Sequence, residues 1–173
     1  VPLTPAQDFK RAYDNDEGPN TGGMGAISPV PFADAAFMDK VLNRVVIPTI
    51  KGLKQEKITY NGFVFFGLIN VKGDPYVIEY NCRMGDPETE VVMPRLKSDI
   101  LDLFKGVATH TLSERDIQFH DKTAATVMMV AGGYPGAYEK GKTIYGLNSI
   151  TDSLVFHAGT LADGPSVLSN GGR

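Results

Sequence analysis

Two rhythms of apolar residues run along this chain. Phe37, Val41, Leu42, Val45, Val46, Ile50 and Leu53 recur at helical spacing behind Asp34, a residue type that caps helix N-termini. Pro48 falls inside that pattern and predicts a kink or break, and the stripe itself predicts core. Phe63 to Val71 is a dense apolar run of strand length. Lys72-Gly73-Asp74 then reads as a turn and Tyr76 to Asn81 as a second strand, giving a β-hairpin. Two helical stretches follow, one near Glu88 to Met93 ended by Pro94. The other starts after Ser98 and carries Ile100, Leu101, Phe104 and Val107. Beyond about residue 118 the signals are mainly β, with strands predicted at Thr123 to Ala131 and at Ser153 to His157. Residues 1–33 show no helical period, and Asp14 to Gly25 has the composition of a loop.

These elements predict an α+β fold with a soft boundary at residues 113–118, dividing a mixed portion (1–115) from a β-rich segment (116–173). A hydrophobic share of 42% over 173 residues supplies a core, and 19 glycines with 11 prolines point to many tight turns. The net charge of −3, without any Lys/Arg block, speaks against nucleic acid as a partner. One cysteine, Cys82, excludes an internal disulfide framework and fits a reducing, cytoplasmic setting; its place on the strand face opposite Glu79 predicts a small buried hydrophobe rather than a nucleophile. No apolar run reaches the ~18 residues of a membrane span. A start at Val1 and a stop at Asn170-Gly171-Gly172-Arg173 suggest a piece of something longer.

Three stretches could carry chemistry. Gly136 to Thr143 matches the phosphate-loop pattern G-x-x-x-x-G-K-[ST], but Ile144 to Ser149 is no helix former, so the amides and dipole that grip phosphate are missing and a plain turn is expected around Lys142. Glu79 and Asn81 lie two apart on a predicted strand and therefore on one face. A carboxylate and an amide oxygen are hard ligands suited to Mg²⁺, and Arg83 follows close enough to hold an anion beside it. The sequel Arg83-Met84-Gly85-Asp86-Pro87-Glu88-Thr89-Glu90 concentrates charge where strand-end loops usually build sites. The third stretch, Gly18 to Gly25, exposes backbone amides that can line an anion pocket, although it serves equally as a structural loop. His110, His120 and His157 lack metal-ligand spacing.

Taken in order, Ala6 to Arg11, Asp14 to Ala26 with its G-P-N-T-G-G-M-G, Val77 to Glu90 with its R-x-G-D-P-E-x-E, Gly132 to Gly136 and Asn170 to Arg173 resemble the phosphoribosylamine–glycine ligases of the ATP-grasp superfamily. The resemblance covers the whole chain and implies the carboxy-terminal half of an ATP-grasp domain followed by an incomplete β-rich segment. It implies a ligase that joins glycine to 5-phosphoribosylamine at the expense of ATP, in de novo purine synthesis. Glu79 and Asn81 would then hold Mg²⁺ or Mn²⁺, and Arg83 would neutralise developing charge. Lys10, Asn20, Thr21, Gly22, Gly23, Asp86 and Glu88 would contact substrate or nucleotide. Three departures stand out. Phe9 occupies a position that is often His, Met84 one that is commonly Leu or Phe, and Phe63 to Val71 lacks the second carboxylate that many ATP-grasp enzymes place there. The resemblance also implies a monomeric parent, and a piece that is folded, inactive alone and prone to self-association through the surface its missing parts would cover. A silent scaffold that binds at most a metal or anion is the competing reading, and a phosphate-loop NTPase using Lys142 a third.

Overall fold

A computed structural model describes all residues, 1–173. In chain order the elements are β1 (Gln7–Asp8), β2 (Arg11–Tyr13), β3 (Glu17–Asn20), β4 (Gly25–Ser28), α1 (Ala35–Val41), α2 (Ile47–Gln55), β5 (Phe65–Val71), β6 (Asp74–Asn81), α3 (Thr89–Val92), α4 (Ile100–Ala108), β7 (Ala124–Val127), β8 (Thr160–Asp163) and β9 (Ser166–Ser169). They form two compact units. The first comprises Val1–Asp8 with Ala26–Thr126, the second Phe9–Gly25 with Val127–Arg173. The boundary read from composition, at 113–118, lies within the first unit. No helix is long and apolar enough to cross a membrane.

The first unit holds the apolar core: Ala26, Val30, Phe37, Val41, Val45, Val91, Val92 and Leu103 are all buried. Asp34 caps α1 as expected, its Oδ1 accepting the Phe37 amide at 2.8 Å. The break expected at Pro48 is instead a π-turn over Leu42–Val46, closed by the Ile47 amide on Leu42 O. That places Pro48 in the first turn of α2, where a missing N–H leaves no bond unmade. The helical stripe is core only in part, since Phe37, Val41 and Val45 are buried whereas Ile50 is 55% exposed.

The predicted hairpin forms. β5 and β6 pair from Phe65↔Asn81 to Val71↔Asp74, and the two-residue turn Lys72-Gly73 has positive φ at both positions, as a type I′ turn requires. Lys40 and Arg44, on the helix and its π-turn, reach Asp74 at 3.0 and 2.9 Å. The Lys40 hydrogen bond and charge, then those of Arg44, hold the Asp74 carboxyl below the usual carboxylate range.

Arg95, buried after α3, ties distant segments of this unit together. Its Nη1 donates to Thr4 Oγ1 (2.6 Å) and Ser28 Oγ (2.7 Å), and its Nη2 to His120 O (3.3 Å). Asp99, rather than Ser98, caps α4; Ser98 instead accepts the Gln118 amide at 2.8 Å. α4 ends in a Schellman motif, with Thr111 N on Gly106 O (2.8 Å) and His110 N on Val107 O (3.4 Å). The motif needs a left-handed residue, and His110 fills it at φ 58°. Glycine there is free of the Cβ clash, so His110→Gly is expected to stabilise the chain by roughly 0.5–1 kcal/mol. A urea melt of the two proteins measures it, and a loss of stability would contradict the motif.

In the second unit, β2 pairs with β3, so Glu17 to Asn20 is a strand rather than the loop its composition suggested. The reversal between them uses Asn15 and Asp16 in the left-handed region, which short polar side chains tolerate. β8 and β9 form a hairpin around Gly164 (φ 54°) that the apolar pattern did not reveal. The strand expected at Ser153 to His157 does not form. Leu154, Val155 and Phe156 are exposed, and β-propensity without a partner strand makes no ladder. The strand expected over Thr123 to Ala131 ends at Val127, after which the backbone takes new partners: Met128 N bonds Met24 O, and Ala131 N bonds Gly172 O.

Candidate functional site

β6 sets the geometry of the first unit's polar row. Glu79 pairs with Gly67 and Asn81 with Phe65, so their side chains stand on one face, two positions apart. Tyr80 turns to the other face, its ring 5.4 Å from Phe66 and its hydroxyl 3.4 Å from Thr49 Oγ1. Asn81 Nδ2 donates to Glu79 Oε1 at 3.1 Å. Arg83 Nη2 reaches Asn81 Oδ1 at 3.4 Å while its Nη1 donates to Met84 O at 2.9 Å. The structure therefore joins Glu79, Asn81 and Arg83 in one hydrogen-bonded row, with Glu79 and Arg83 exposed. Arg83 reaches the row from beyond the strand, which ends at Asn81.

Two neighbours of the row escaped the sequence reading. A Cβ on Gly67 would lie 2.8 Å from Glu79 Cγ, so glycine leaves the acid its room. A lone glycine inside an apolar strand was the available signal for such a close approach. Tyr60 sets its hydroxyl 2.6 Å from Phe63 O and 3.1 Å from Cys82 O, bracing the corner between Asn81 and Arg83. Cys82 itself is exposed, not the buried hydrophobe expected, because the strand has ended and the backbone bends at its position.

The charged segment after Arg83 divides. Gly85 O accepts both the amide (3.0 Å) and the hydroxyl (2.5 Å) of Thr89, starting α3. Glu88 is buried against Gly85, where any Cβ would collide with its carboxylate, whereas Asp86 is exposed. Glu90 accepts the Thr126 hydroxyl at 2.5 Å, which pins α3 to β7.

The remaining candidates belong to the second unit. Thr21 N and Oγ1 both donate to Lys10 O (2.7 and 2.8 Å), and Gly23 N donates to Thr21 Oγ1 at 3.0 Å. Lys10 Nζ lies 3.4 Å from Gly22 O. Asn20 is exposed at the end of β3, opposite Arg11. Lys10 thus lies across from the Thr21–Gly23 turn, with Asn20 at its start. The phosphate-loop match makes a different use of its amides: Gly141 N and Ile144 N bond Ser169 O and Val167 O, alongside β9. No α-helix follows, only a single 3-10 turn at Leu147–Ser149, and Lys142 pairs with Glu139 at 2.8 Å, its hydrogen bond and charge lowering that carboxyl.

No three His, Cys, Asp or Glu side chains gather as a metal cage. A carboxylate and an amide side by side suit a hard cation that draws its other ligands from phosphate and water, as Mg²⁺ does.

Comparison with known proteins gives a consistent result. The family described as phosphoribosylglycinamide synthetase, ATP-grasp (A) domain, matches residues 1–89, and that enzyme's C domain family matches residues 124–173. The phosphoribosylamine–glycine ligase of Halalkalibacterium halodurans is 44% identical over 174 residues, covering 100% of this chain and 40% of that protein. The Escherichia coli K12 enzyme of the same name is 45% identical over 177 residues, covering 100% of this chain and 41% of its own length. A trifunctional purine biosynthetic protein adenosine-3 from Gallus gallus is 45% identical over 176 residues, 18% of its length. The crystal structure of a Thermotoga maritima phosphoribosylamine–glycine ligase superposes with a TM-score of 0.78 at 35% identity, covering 99% of this chain and 42% of that one. The chain spans about two fifths of the length of the curated bacterial relatives it matches.

Proposed function

From the premise that the chain belongs to the phosphoribosylglycinamide synthetase family, we propose that it is the part of a glycine ligase that carries the metal-binding row and a substrate turn. The reaction is the joining of glycine to 5-phosphoribosylamine. The γ-phosphoryl group of ATP passes to a glycine carboxylate oxygen, giving glycyl phosphate and ADP. The amine nitrogen then attacks the acyl carbon, the C–O bond to phosphate breaks, and the nitrogen gives up a proton, leaving glycinamide ribonucleotide and phosphate. Such chemistry asks for positioning and charge neutralisation rather than a protein nucleophile, and the candidate residues are of that kind.

Glu79 and Asn81 would hold Mg²⁺ or Mn²⁺, which when bound supplies positive charge against the ATP phosphates. The Glu79 carboxylate is exposed with Gly67 across from it, so the residue directly opposite sets no side chain against a hydrated cation. Arg83, anchored on Met84 O and on the Asn81 amide oxygen, presents a guanidinium in the same row. There it neutralises the glycine carboxylate and the oxygens that gain charge as the phosphoryl group moves. Asp86 and Glu88 are assigned to contact with substrate or nucleotide. Lys10, Asn20, Thr21, Gly22 and Gly23 are assigned to the ribosylamine and its phosphate, with the Lys10 ammonium, beside the Gly22 carbonyl, as the cationic group. The exposed face of the hairpin, including Ile69, Tyr76 and Ile78, supports self-association of the isolated chain. A cytoplasmic location and a monomeric parent complete the reading.

The observation that carries this reading is the hydrogen-bonded row Glu79–Asn81–Arg83 on one strand face. Calorimetric titration of ATP with Mg²⁺, and again in EDTA, tests it. Heat is expected only with the cation. Equal heats under both conditions would remove the metal role, and no heat under either would leave a silent scaffold.

A further inference from the structure

The two glycine motifs near the end of the sequence, Gly132 to Gly136 and Gly171-Gly172-Arg173, have no part in the ligase chemistry above, yet in the second unit both converge on the Gly22–Gly23 turn. Arg173 lays its guanidinium over Gly22: a Cβ there would fall 2.7 Å from Nε and 2.8 Å from Cζ and Nη2. Arg173 Nη1 also donates to Gly23 O at 3.2 Å. From the other motif, the Tyr134 hydroxyl accepts the Gly22 amide at 3.2 Å.

The glycines make this approach possible. A side chain on Gly172 would lie 2.8 Å from Tyr134 Cε2 and 3.0 Å from Tyr138 Cε1, so its absence lets the Tyr134 ring pack on the terminal backbone. Gly172 O holds the Ala131 amide at 2.7 Å, just ahead of Tyr134. Gly159 N donates to Arg173 O at 2.8 Å and Gly171 N to Gly159 O at 2.9 Å; a Cβ on Gly159 would meet Gly171 Cα at 2.6 Å. Gly133, at φ +99°, carries the chain into Tyr134 through a conformation L side chains rarely adopt. Each motif is therefore a backbone device that delivers one polar group to one turn.

We propose that Tyr134 and Arg173 are positioning residues for the Gly22–Gly23 turn, holding it ready for the phosphate monoester of the ribosylamine. The inference rests on the substrate role assigned to that turn. Thr21 and Lys10 fix the turn from its own hairpin; Tyr134 and Arg173 fix it from sequence more than a hundred residues away. A glycine turn left without them samples many conformations, and a ligand that needs one of them binds more weakly by the fraction lost.

The test uses the 173-residue chain and the variants Tyr134→Phe, Arg173→Ala and Arg173→Lys, with residue-resolved amide exchange and an NMR titration with ribose 5-phosphate. Tyr134→Phe keeps the ring on Gly172 and removes only the acceptor, so exchange at Gly22 should rise about fivefold to tenfold, the loss of roughly one hydrogen bond. The β8–β9 hairpin and the thermal midpoint should stay unchanged. Arg173→Ala should loosen Gly22 to Met24, and Arg173→Lys should not restore them, because one ammonium cannot lie flat on a peptide and reach the next carbonyl. Unchanged exchange at Gly22 to Met24 in both Tyr134→Phe and Arg173→Ala overturns the proposal. So does equal acceleration throughout the unit, which marks general loosening. Ribose 5-phosphate should bind more weakly to the variants in step with exchange. A wild-type chain that ignores ribose 5-phosphate would count against the substrate role of the turn, while exchange still decides whether Tyr134 and Arg173 position it.

Discussion

Glu79→Gln is expected to weaken Mg²⁺-dependent ATP binding by about 100-fold, or roughly 2.7 kcal/mol. The substitution keeps length, shape and an oxygen for the Asn81 Nδ2 bond, so the row stays assembled while one full charge is lost. Unit charges ~4 Å apart are worth about 4 kcal/mol at an effective dielectric of 20, and the exposure of Glu79 brings the expectation below that figure. The paired strand β5, Phe65–Val71, carries no carboxylate to take over. Calorimetry at fixed ionic strength reads the change, and an affinity within about threefold of wild type would detach the metal from Glu79.

The second large effect concerns stability. Arg95→Met keeps most of the buried stem and deletes the donors to Thr4, Ser28 and His120. Replacing a buried charge with an apolar group is often harmless when its partners go too. Here they remain: Ser28 is fully buried and its oxygen loses a charged donor, as does the His120 carbonyl. Arg95 Nε is already buried without a partner, a cost that methionine relieves and that tempers the loss. The net expectation is about 3 kcal/mol, a fall in melting temperature of roughly 6–12 °C. A shift under about 2 °C would mean that packing alone holds these three segments together.

The parts of the fold that announce themselves in sequence are those whose interactions are local. Asp34 and the Phe37–Val41–Val45 face, the β5–β6 strands and the Lys72-Gly73 turn depend on neighbours within a few residues, and periodicity finds them. The Glu79–Asn81 pair was legible for the same reason, because strand alternation alone puts both on one side. Gly67 and Tyr60 were not, since their purpose lies with residues across the hairpin. Cys82 was misplaced because strand alternation was carried one residue past Asn81, where the backbone bends instead. The segment Glu17–Asn20 hid its strand behind turn-forming residues, and the stretch 153–157 offered β-branched and aromatic side chains with nothing to pair against. Ties such as Arg95 to Thr4, or Arg173 to Gly23, span most of the chain and leave no local trace.

The excursion of Phe9–Gly25 into the second unit has a consequence for synthesis on the ribosome. Gly23 and Arg173 are separated by 150 positions, and at ~5–20 residues per second the early hairpin waits roughly 7–30 s for its last partner to be translated. During that interval the first unit can already condense around Phe37 and Val91, looping out a stretch of seventeen residues that stays unsatisfied until Arg173 has been made. Nascent chains halted after Thr126 and before Arg173 should therefore be nicked by protease within Phe9–Gly25 while the first unit resists, and protection there should arrive once Arg173 is made.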